Sequence, residues 1–258
     1  MPLTFLRRPL AAALLAATAL AVPAAIHAQS LTGAQRGEIE GIVKDYLLAH
    51  PEILEEMSAE LTKRQTAADA EKHAAAVKKN ADLIFNSPRG VLIGNRNGDV
   101  NFVEFFDYNC GYCKRAMSDM LDLIKADPKL RVTLKEFPVL GPGSVEAAQV
   151  AVAVRMQDPA GKKYLDFHQK LLGGRGQADK AHAMAAAKDA GLDMARLEKD
   201  LSSPEVRATL QENFKLAEDM GLNGTPSYVV GNQVVVGAIG IDGLSKKINE
   251  ARCGKASC

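Results

Sequence analysis

The amino-acid sequence predicts an α/β fold with an inserted helical subdomain, preceded by an N-terminal helical segment. Short apolar runs with strand character lie on both sides of a long helical block near residues 142–220, which implies one sheet interrupted by helices. Before residue 87 the apolar residues show helical spacing only. We therefore divide the chain into four parts: a leader (1–28), a helical oligomerisation segment (29–62), a helical linker (63–86) and an α/β domain (87–258).

The leader has the order of a secretory signal peptide. Arg7 and Arg8 precede the apolar stretch Leu10–Val22, and small residues follow up to Ala28, after which we expect cleavage. The apolar stretch is shorter than the roughly 20 residues that a membrane-spanning helix needs. The pattern therefore predicts an exported protein.

Charge and cysteine content narrow the class of protein. The formal net charge is +1 for the whole chain, and it becomes −1 without the two arginines of the leader, so no nucleic-acid partner is predicted. Disulfides form in exported proteins, but four cysteines are too few for a disulfide-stapled scaffold. Each pair of cysteines has to be interpreted separately.

The N-terminal segment is predicted to form two amphipathic helices, the second beginning at Pro51. Residues 62–82 are rich in alanine and charge, so they are expected to be helical with little to bury. The apolar stripe either packs on the α/β domain or pairs with a second copy; we favour a homo-oligomer, either dimer or trimer, because the polar spacer separates the stripe from the domain. The stripe consists of Ile39, Ile42, Val43, Tyr46, Leu47, Ile53, Leu54, Met57 and Leu61.

The α/β domain begins with strands. "VLIGNRNGDVNFVEFF", residues 91–106, contains two apolar runs around Asn97-Gly98, and we interpret it as a hairpin. Its second strand leads directly to Cys110, after which residues 111–126 show a helical apolar face. Beyond this helix the patterns predict a strand at 130–140, helices at 145–156, 163–172, 180–190, 194–201 and 204–220, a second hairpin at 226–237 and a closing helix at 241–251.

Cys110-Gly111-Tyr112-Cys113 lies where a strand meets a helix. A helix N-terminus favours negative charge, so Cys110 is expected to be the thiolate. Cys113, one turn further along, is expected to be less exposed and to attack Cys110 once a mixed disulfide has formed. Gly111 leaves room for an incoming chain, and Tyr112 offers a ring edge and a hydroxyl beside the sulfur. The pattern predicts thiol–disulfide exchange, which needs no cofactor and no resident metal.

Two other features belong to this chemistry. Glu104, on the incoming strand, is either a buried proton relay to Cys113 or an edge-strand residue facing water, and Asp107 is a neighbouring candidate for the relay. Thr225-Pro226 directly precedes a strand, where an X-Pro bond is a candidate for cis geometry. A cis bond would present the backbone of Thr225 to an extended peptide.

The remaining metal-binding side chains carry weaker signals. Cys253 and Cys258 at the C-terminus are predicted to form a small structural disulfide, the alternative being a four-sulfur zinc site with the first pair. Copper(I) binding by the reduced Cys110 and Cys113 is a further hypothesis. Four histidines outside the leader, His50, His73, His168 and His182, show no ligand spacing and are predicted to be surface or interface residues.

"EFFDYNCGYC" and, over a hundred residues later, "GTPSYVV" resemble the thioredoxin-fold proteins of the bacterial disulfide-bond family, which carry a helical insertion between these motifs. Cys-Gly-Tyr-Cys with Thr before the proline is similar to the oligomeric disulfide isomerases rather than to the monomeric oxidase. "IEGIVKDYLLAHPEILEEM" looks most like the suppressor-of-copper-sensitivity protein C branch. The resemblance implies that Cys110 is the nucleophile, Cys113 the resolving cysteine, Pro226 a cis-proline and Glu104 the family's buried acid.

The same family resemblance also implies a function. It implies a periplasmic, oligomeric disulfide isomerase or reductase acting on misfolded or cysteine-containing exported proteins. A membrane-bound thiol reductase is implied as the partner that keeps Cys110 reduced. The alternatives are a dithiol oxidase, which introduces disulfides, and a non-enzymatic copper- or zinc-binding thiol module.

Overall fold

The computed structural model describes residues 31–258, so the predicted signal peptide lies outside the described residues. The described chain divides into two units, the first ending at Ser58 and the second running from Ala59 to Cys258. The described helices are α1 (Gly33–Ala49), α2 (Glu52–Lys79), α3 (Ala81–Phe85), α4 (Gly111–Ala126), α5 (Pro142–Gln157), α6 (Lys162–Gly173), α7 (Lys180–Asp189), α8 (Met194–Leu201), α9 (Pro204–Asp219) and α10 (Gly240–Cys253). The strands are β1 (Val91–Gly94), β2 (Val100–Phe106), β3 (Leu130–Glu136), β4 (Ser227–Val230) and β5 (Gln233–Val236).

In the first unit, α1 begins with a capping box. The Thr32 hydroxyl accepts a hydrogen bond from the Gln35 backbone N–H, and the Gln35 side chain accepts one from the Thr32 N–H. The apolar residues of α1 are all exposed; Ile42 is 62% exposed and Tyr46 is 56% exposed. The part of the predicted stripe that lies in α1 is therefore exposed within the described residues.

The sheet has the strand order β1-β3-β2-β4-β5. β2 lies in the middle, parallel to β3 and antiparallel to β4. Its side chains alternate between two cores: Phe102 and Phe106 pack with α4, α5 and α6, whereas Val103 and Phe105 pack with α2, α3 and α9. Because both faces of β2 are covered, the strand is apolar on both faces.

The prediction of a hairpin over residues 91–106 is wrong. β3 lies between β1 and β2, so the two strands that flank Asn97-Gly98 are not neighbours. The segment between them binds the start of β3 instead, since the backbone N–H of Asp99 donates to the Lys129 carbonyl oxygen at 2.9 Å. A Cβ on Gly98 would lie 2.4 Å from that same oxygen. Gly98 is therefore required for close backbone approach, not for a hairpin turn.

The second predicted hairpin is confirmed, because β4 and β5 pair antiparallel with Val230 opposite Gln233. The predicted helices between the two motifs are confirmed as α5 to α9. Together these elements form the thioredoxin fold with a helical insertion that the resemblance implied. Among the described helices, none has the length and apolar character needed to cross a bilayer.

The last part of the predicted linker belongs to the α/β core. α2 continues without a break to Lys79, and Val77 is buried. Ile84 of α3 is fully buried against the same core as Phe105 and Val229. The alanine-rich composition of residues 62–82 did not indicate this packing. Two buried apolar side chains, Val77 and Ile84, are enough to attach the end of the segment to the core.

Candidate active site

Cys110 is the N-cap residue of α4. Its sulfur accepts a hydrogen bond from the Cys113 backbone N–H at 3.4 Å, and its carbonyl oxygen accepts one from the Lys114 N–H at 3.1 Å. The residue is 5% exposed and Cys113 is 1% exposed, in the order expected for an attacking and a resolving cysteine. Neither of the two cysteines forms a disulfide bond.

The pKa values of the two cysteine thiols are shifted in opposite directions. A hydrogen bond from the Cys113 side chain is the largest effect that lowers the pKa of Cys110 to about 5; the Thr225 side chain and the backbone N–H groups of Cys113 and Tyr112 act in the same direction, against burial. The same Cys110 contact and burial raise the pKa of Cys113 far above its ordinary value. At neutral pH the pair is therefore one thiolate and one thiol, with the thiolate at the helix N-terminus.

The Thr225-Pro226 loop faces the nucleophile. The Thr225-Pro226 peptide bond is cis. When it is protonated, the Cys110 thiol donates to the Thr225 carbonyl oxygen, with 3.1 Å between sulfur and oxygen. The Gly237 N–H donates to the Pro226 carbonyl oxygen at 2.8 Å and holds the loop against the end of β5.

Glu104 lies under the cysteine pair and is 3% exposed. It occupies the same face of β2 as Phe102 and Phe106, which belong to the core that contains Cys110 and Cys113. Burial, together with the negative charge of Cys110, raises the pKa of Glu104 to about 8. The alternative of an edge-strand glutamate facing water does not hold, because β2 is a central strand.

Asp107 has a structural role that the sequence did not reveal. One of its carboxylate oxygens accepts hydrogen bonds from the Asn109 N–H and the Ser144 hydroxyl, both at 2.7 Å. The other oxygen accepts bonds from the N–H groups of Val139 and Leu140 at 2.8 and 2.9 Å. Four donors occupy this carboxylate, so Asp107 organises the loops beside Cys110.

Asn109, directly before the nucleophile, was missed by the sequence reasoning. Its amide nitrogen donates to the Ala178 carbonyl oxygen at 2.8 Å and to the Ser144 hydroxyl at 2.9 Å. Its amide oxygen accepts a bond from the Ala178 N–H at 2.7 Å. Asn109 thus connects the N-cap of α4 to the helical insertion. In the sequence, the only sign of this role is that a polar residue directly precedes the cysteine motif.

A buried polar network supports the same segment. Tyr108 lies 3.4 Å from the Tyr164 hydroxyl and 3.3 Å from His168 Nδ1, and Tyr164 donates to Glu136. Burial lowers the pKa of His168 to about 3, so its ring is neutral at pH 7, and burial raises the pKa of Glu136 well above its ordinary value. The prediction that every histidine lies at a surface or interface is wrong for His168, which is 2% exposed.

The approach to the sulfur is open at the start of α4. Apart from its chain neighbours and the nearby backbone of α4, no heavy atom of the described residues lies within 4 Å of the position that a Cβ on Gly111 would occupy. Tyr112 is 60% exposed, and the Arg115 guanidinium lies 4.5 Å from the centre of its ring. Gly111 and Tyr112 therefore border the space that an incoming polypeptide would enter.

Cys253 and Cys258 form a disulfide bond with each other at the end of α10. Arg252 bonds to Asp127 at the C-terminal end of α4, whereas Cys110 caps the N-terminus of that helix. A helix of this length extends roughly 24 Å, so the two pairs lie far apart and do not form a four-sulfur zinc site. Among the described residues, no cluster of three or more His, Cys, Asp or Glu side chains is arranged to hold a metal ion.

Comparison with known proteins finds two family matches. A family described as "DSBA-like thioredoxin domain" matches residues 102–249, more than half of the chain. A second, described as "Copper resistance protein ScsC N-terminal domain", matches residues 35–68. The first match contains both cysteines of the motif and the cis-proline, and the second coincides with the exposed stripe of α1 and the start of α2.

Solved structures resemble this chain over most of its length. A thioredoxin-like oxidoreductase from Silicibacter pomeroyi is 42% identical, with a TM-score of 0.63, covering 66% of this chain and 96% of that one. Proteus mirabilis ScsC in a transitional conformation is 30% identical, with a TM-score of 0.63 and coverage of 87% and 98%. A periplasmic thioredoxin-like protein from Salmonella enterica serovar Typhimurium is 28% identical, with a TM-score of 0.57 and coverage of 67% and 95%.

Among curated proteins, the chain matches part of a much longer one. The Na(+)/H(+) antiporter NhaA 1 of Salinispora arenicola is 25% identical over 62% of this chain, and the match spans only 24% of the antiporter. The shared part is therefore about a quarter of that protein's length.

Proposed function

The chain belongs to the DSBA-like thioredoxin family of thiol–disulfide oxidoreductases, and we propose that it is an exported, homo-oligomeric isomerase or reductase of wrongly paired disulfides in other proteins. The observation that carries the proposal is the exposed apolar stripe of α1, which coincides with the match to the ScsC N-terminal domain. A stripe of exposed apolar residues along one helix favours association with a second copy of the chain. An assembly would hold several Cys110 sites around one misfolded chain.

The first step uses the Cys110 thiolate. It attacks one sulfur of a substrate disulfide, forming a bond to that sulfur and releasing the other substrate sulfur as a thiolate. The open space beside Gly111 admits the substrate chain. The Thr225 carbonyl oxygen lies 3.1 Å from the Cys110 sulfur. The Thr225 backbone would therefore form hydrogen bonds with an extended substrate chain, as neighbouring strands of a sheet do.

The mixed disulfide then has two outcomes. In isomerisation, another substrate thiolate attacks the substrate sulfur and expels Cys110, whose low pKa makes it a good leaving group. In reduction, Cys113 loses its proton and attacks Cys110, so the substrate leaves as a thiol and the protein pair becomes a disulfide. Glu104 is a buried carboxyl group whose charge raises the pKa of Cys113, and in its ionised form, populated as pH approaches its pKa of about 8, it would accept the Cys113 proton.

Regeneration and location follow from the proposed cycle. After each reduction, two electrons from a membrane-bound dithiol reductase would return Cys110 and Cys113 to thiols. The leader pattern of residues 1–28 and the periplasmic relative from Salmonella enterica support a periplasmic location.

A dithiol oxidase is the second candidate, and the low pKa of Cys110 favours it. A stabilised thiolate stabilises the reduced form of the pair, which makes the disulfide form a stronger oxidant. The two functions therefore differ in whether Cys110 is kept reduced or oxidised, and in whether several sites act on one substrate.

Refolding of a scrambled-disulfide enzyme tests the proposal. Full-length reduced protein is added to the scrambled substrate in a glutathione buffer, and recovery of substrate activity is followed beside Cys110→Ser. We expect recovery with the wild-type protein and background recovery with the variant. Rapid oxidation of a dithiol peptide by the disulfide form of the protein, which becomes reduced in the exchange, without any recovery of the scrambled enzyme by the reduced form would establish the oxidase instead.

A further inference from the structure

Positive charge without a matching carboxylate borders the active site. Lys114, Arg115 and Arg175, here called the basic rim, form no ion pair with a carboxylate of the described residues. Of the nine other arginines in the described residues, five pair with at least one carboxylate (Arg64, Arg89, Arg155, Arg196 and Arg252), whereas Arg36, Arg96, Arg131 and Arg207 do not. The rim therefore keeps its charge available to an incoming molecule.

Two contacts place Lys114 near Cys110 and bring the loop that contains Arg175 to Lys114. Lys114 lies one helical turn after Cys110, since its N–H donates to the Cys110 carbonyl oxygen. Its ammonium donates to the Gly174 carbonyl oxygen at 3.1 Å, which brings Arg175, the next residue, close to the start of α4. The other end of this loop is held through Ala178 by Asn109.

Arg115 is positioned by Tyr112. Its guanidinium lies 4.5 Å from the ring centre, a cation–π distance, and leaves the charge on the exposed side of α4. A carboxylate would neutralise this charge, whereas an aromatic ring holds the group without cancelling it. The arrangement orders the arginine while preserving its charge.

The charge is local to this surface. The whole chain has a formal net charge of only +1, so the rim is not part of a generally basic protein. The helix N-terminus at Cys110 adds positive potential at the same place. Exposed apolar residues also lie nearby, since Val139 and Leu140 are held by Asp107, the residue whose carbonyl oxygen accepts the Cys110 N–H.

We infer that the basic rim selects, among disulfide-containing polypeptides, segments that carry acidic residues next to the reacting cysteine. The inference rests on the proposed function and names its preferred substrate class. Attraction between the rim and substrate carboxylates raises the rate of encounter with Cys110 and leaves the chemistry of sulfur exchange unchanged. Added salt screens such exposed charges, so the preference is expected to depend on ionic strength.

The test uses peptides that differ only in the charge beside one cysteine. Each peptide carries two Glu, two Gln or two Lys around a cysteine that is held as a mixed disulfide with 2-mercaptoethanol. Reduced protein gives up two electrons and becomes the Cys110–Cys113 disulfide, and the mixed disulfide becomes one peptide thiol and one 2-mercaptoethanol. Acid-quenched chromatography of the released peptide gives a second-order rate constant for each peptide.

We expect the Glu peptide to react about tenfold faster than the Lys peptide at low salt, with the ratio approaching one at about 0.5 M salt. The triple variant K114Q/R115Q/R175Q should lose most of this ratio. The control K199Q/R207Q/K246Q removes the same charge from exposed positions on α8, α9 and α10 and should keep the ratio.

The outcomes separate the inference from the function on which it rests. Equal rates for the Glu and Lys peptides, or a ratio that persists in the triple variant, would overturn the inference while leaving thiol exchange intact. Failure of all three peptides to react with the wild-type protein would overturn the proposed function as well.

Discussion

Asn109 and Ala178 exchange two hydrogen bonds that connect the residue before the nucleophile to the helical insertion. The amide nitrogen donates to the Ala178 carbonyl oxygen at 2.8 Å, and the Ala178 N–H donates to the amide oxygen at 2.7 Å. Such a reciprocal pair fixes both the position and the orientation of the segment that ends at Cys110. The insertion therefore contributes to the geometry of the active site without containing a reacting group.

Replacing Asn109 with alanine should lower the free energy of unfolding by about 1–3 kcal/mol, because it leaves the partners at Ala178 and Ser144 unpaired. It should also raise the pKa of Cys110, since the N-cap is no longer held in place. Urea unfolding and the ultraviolet absorbance of the thiolate measure the two effects. Asn249→Ala, which removes an exposed bond to Ala256, is the control; an unchanged Cys110 pKa in Asn109→Ala would contradict the positioning role.

The Cys113 side chain is the largest cause of the low Cys110 pKa of about 5. We therefore predict that Cys113→Ala raises the Cys110 pKa by about one unit or more, with Cys113→Ser in between because its hydroxyl still donates a hydrogen bond. Thr225→Val, which removes a smaller contribution, should raise it less. The pH dependence of iodoacetamide alkylation gives each value, and a larger shift for Thr225→Val than for Cys113→Ala would reverse this order of causes.

Stability of the reduced protein should rise with pH because of Cys110. Its pKa is lowered on folding, so the unfolded chain binds more protons between about pH 5 and the ordinary thiol pKa near 8.5. The stabilisation is complete above that upper value and is lost as pH falls through about 5. Urea unfolding of wild type and Cys110→Ser at several pH values tests this, and we expect the wild-type advantage to grow from pH 4.5 to pH 8.5.

Glu104 has the opposite sign. Its pKa is raised to about 8 in the folded protein, so burial of the ionised form destabilises the fold progressively from about pH 4.5 and fully above about pH 8. Glu104→Gln should therefore gain about 3 kcal/mol of unfolding free energy relative to wild type between pH 5 and pH 8. A difference independent of pH would mean that the carboxyl group is not held protonated.

The same variant tests proton transfer. Without a carboxylate to accept the Cys113 proton, release of a preformed mixed disulfide by Cys113 should be about 10- to 100-fold slower. Initial alkylation of Cys110 should change little, so the two rates distinguish a proton relay from general damage to the site. An unchanged release rate in Glu104→Gln would remove this residue from the proton path.

Local sequence was enough to predict the elements but not their neighbours. Helical spacing between residues 142 and 220 gave helices close to α5–α9, because each buries one apolar face. Strand order depends on non-local pairing, and the Asn97-Gly98 signal served equally for a hairpin and for the close approach of Gly98 to Lys129. The turn signal alone does not distinguish these two uses of glycine.

The active site likewise contains residues that the sequence identified and residues whose roles depend on tertiary contacts. Cys110 and Cys113 are only three positions apart, and their expected roles could be inferred from their place at the start of a helix that follows a strand. The functions of Asp107 and Asn109 depend on Val139, Ser144 and Ala178, whose proximity is created only by folding. The tertiary fold also buries His168, which the isolated pattern could not place.

The central claim is that isomerisation requires several Cys110 sites in one assembly built through the stripe of α1. Ile42→Glu/Tyr46→Glu replaces two exposed residues of the stripe, and Gln65→Glu/Thr66→Glu adds the same charge to an exposed polar part of α2 as a control. The decisive measurement is the rate of scrambled-enzyme refolding at equal active-site concentration, with molar mass from light scattering. We predict that the stripe variant is monomeric, alkylates normally at Cys110 and refolds the substrate at least tenfold more slowly than the control; a monomeric stripe variant that refolds it at the control's rate would contradict the claim.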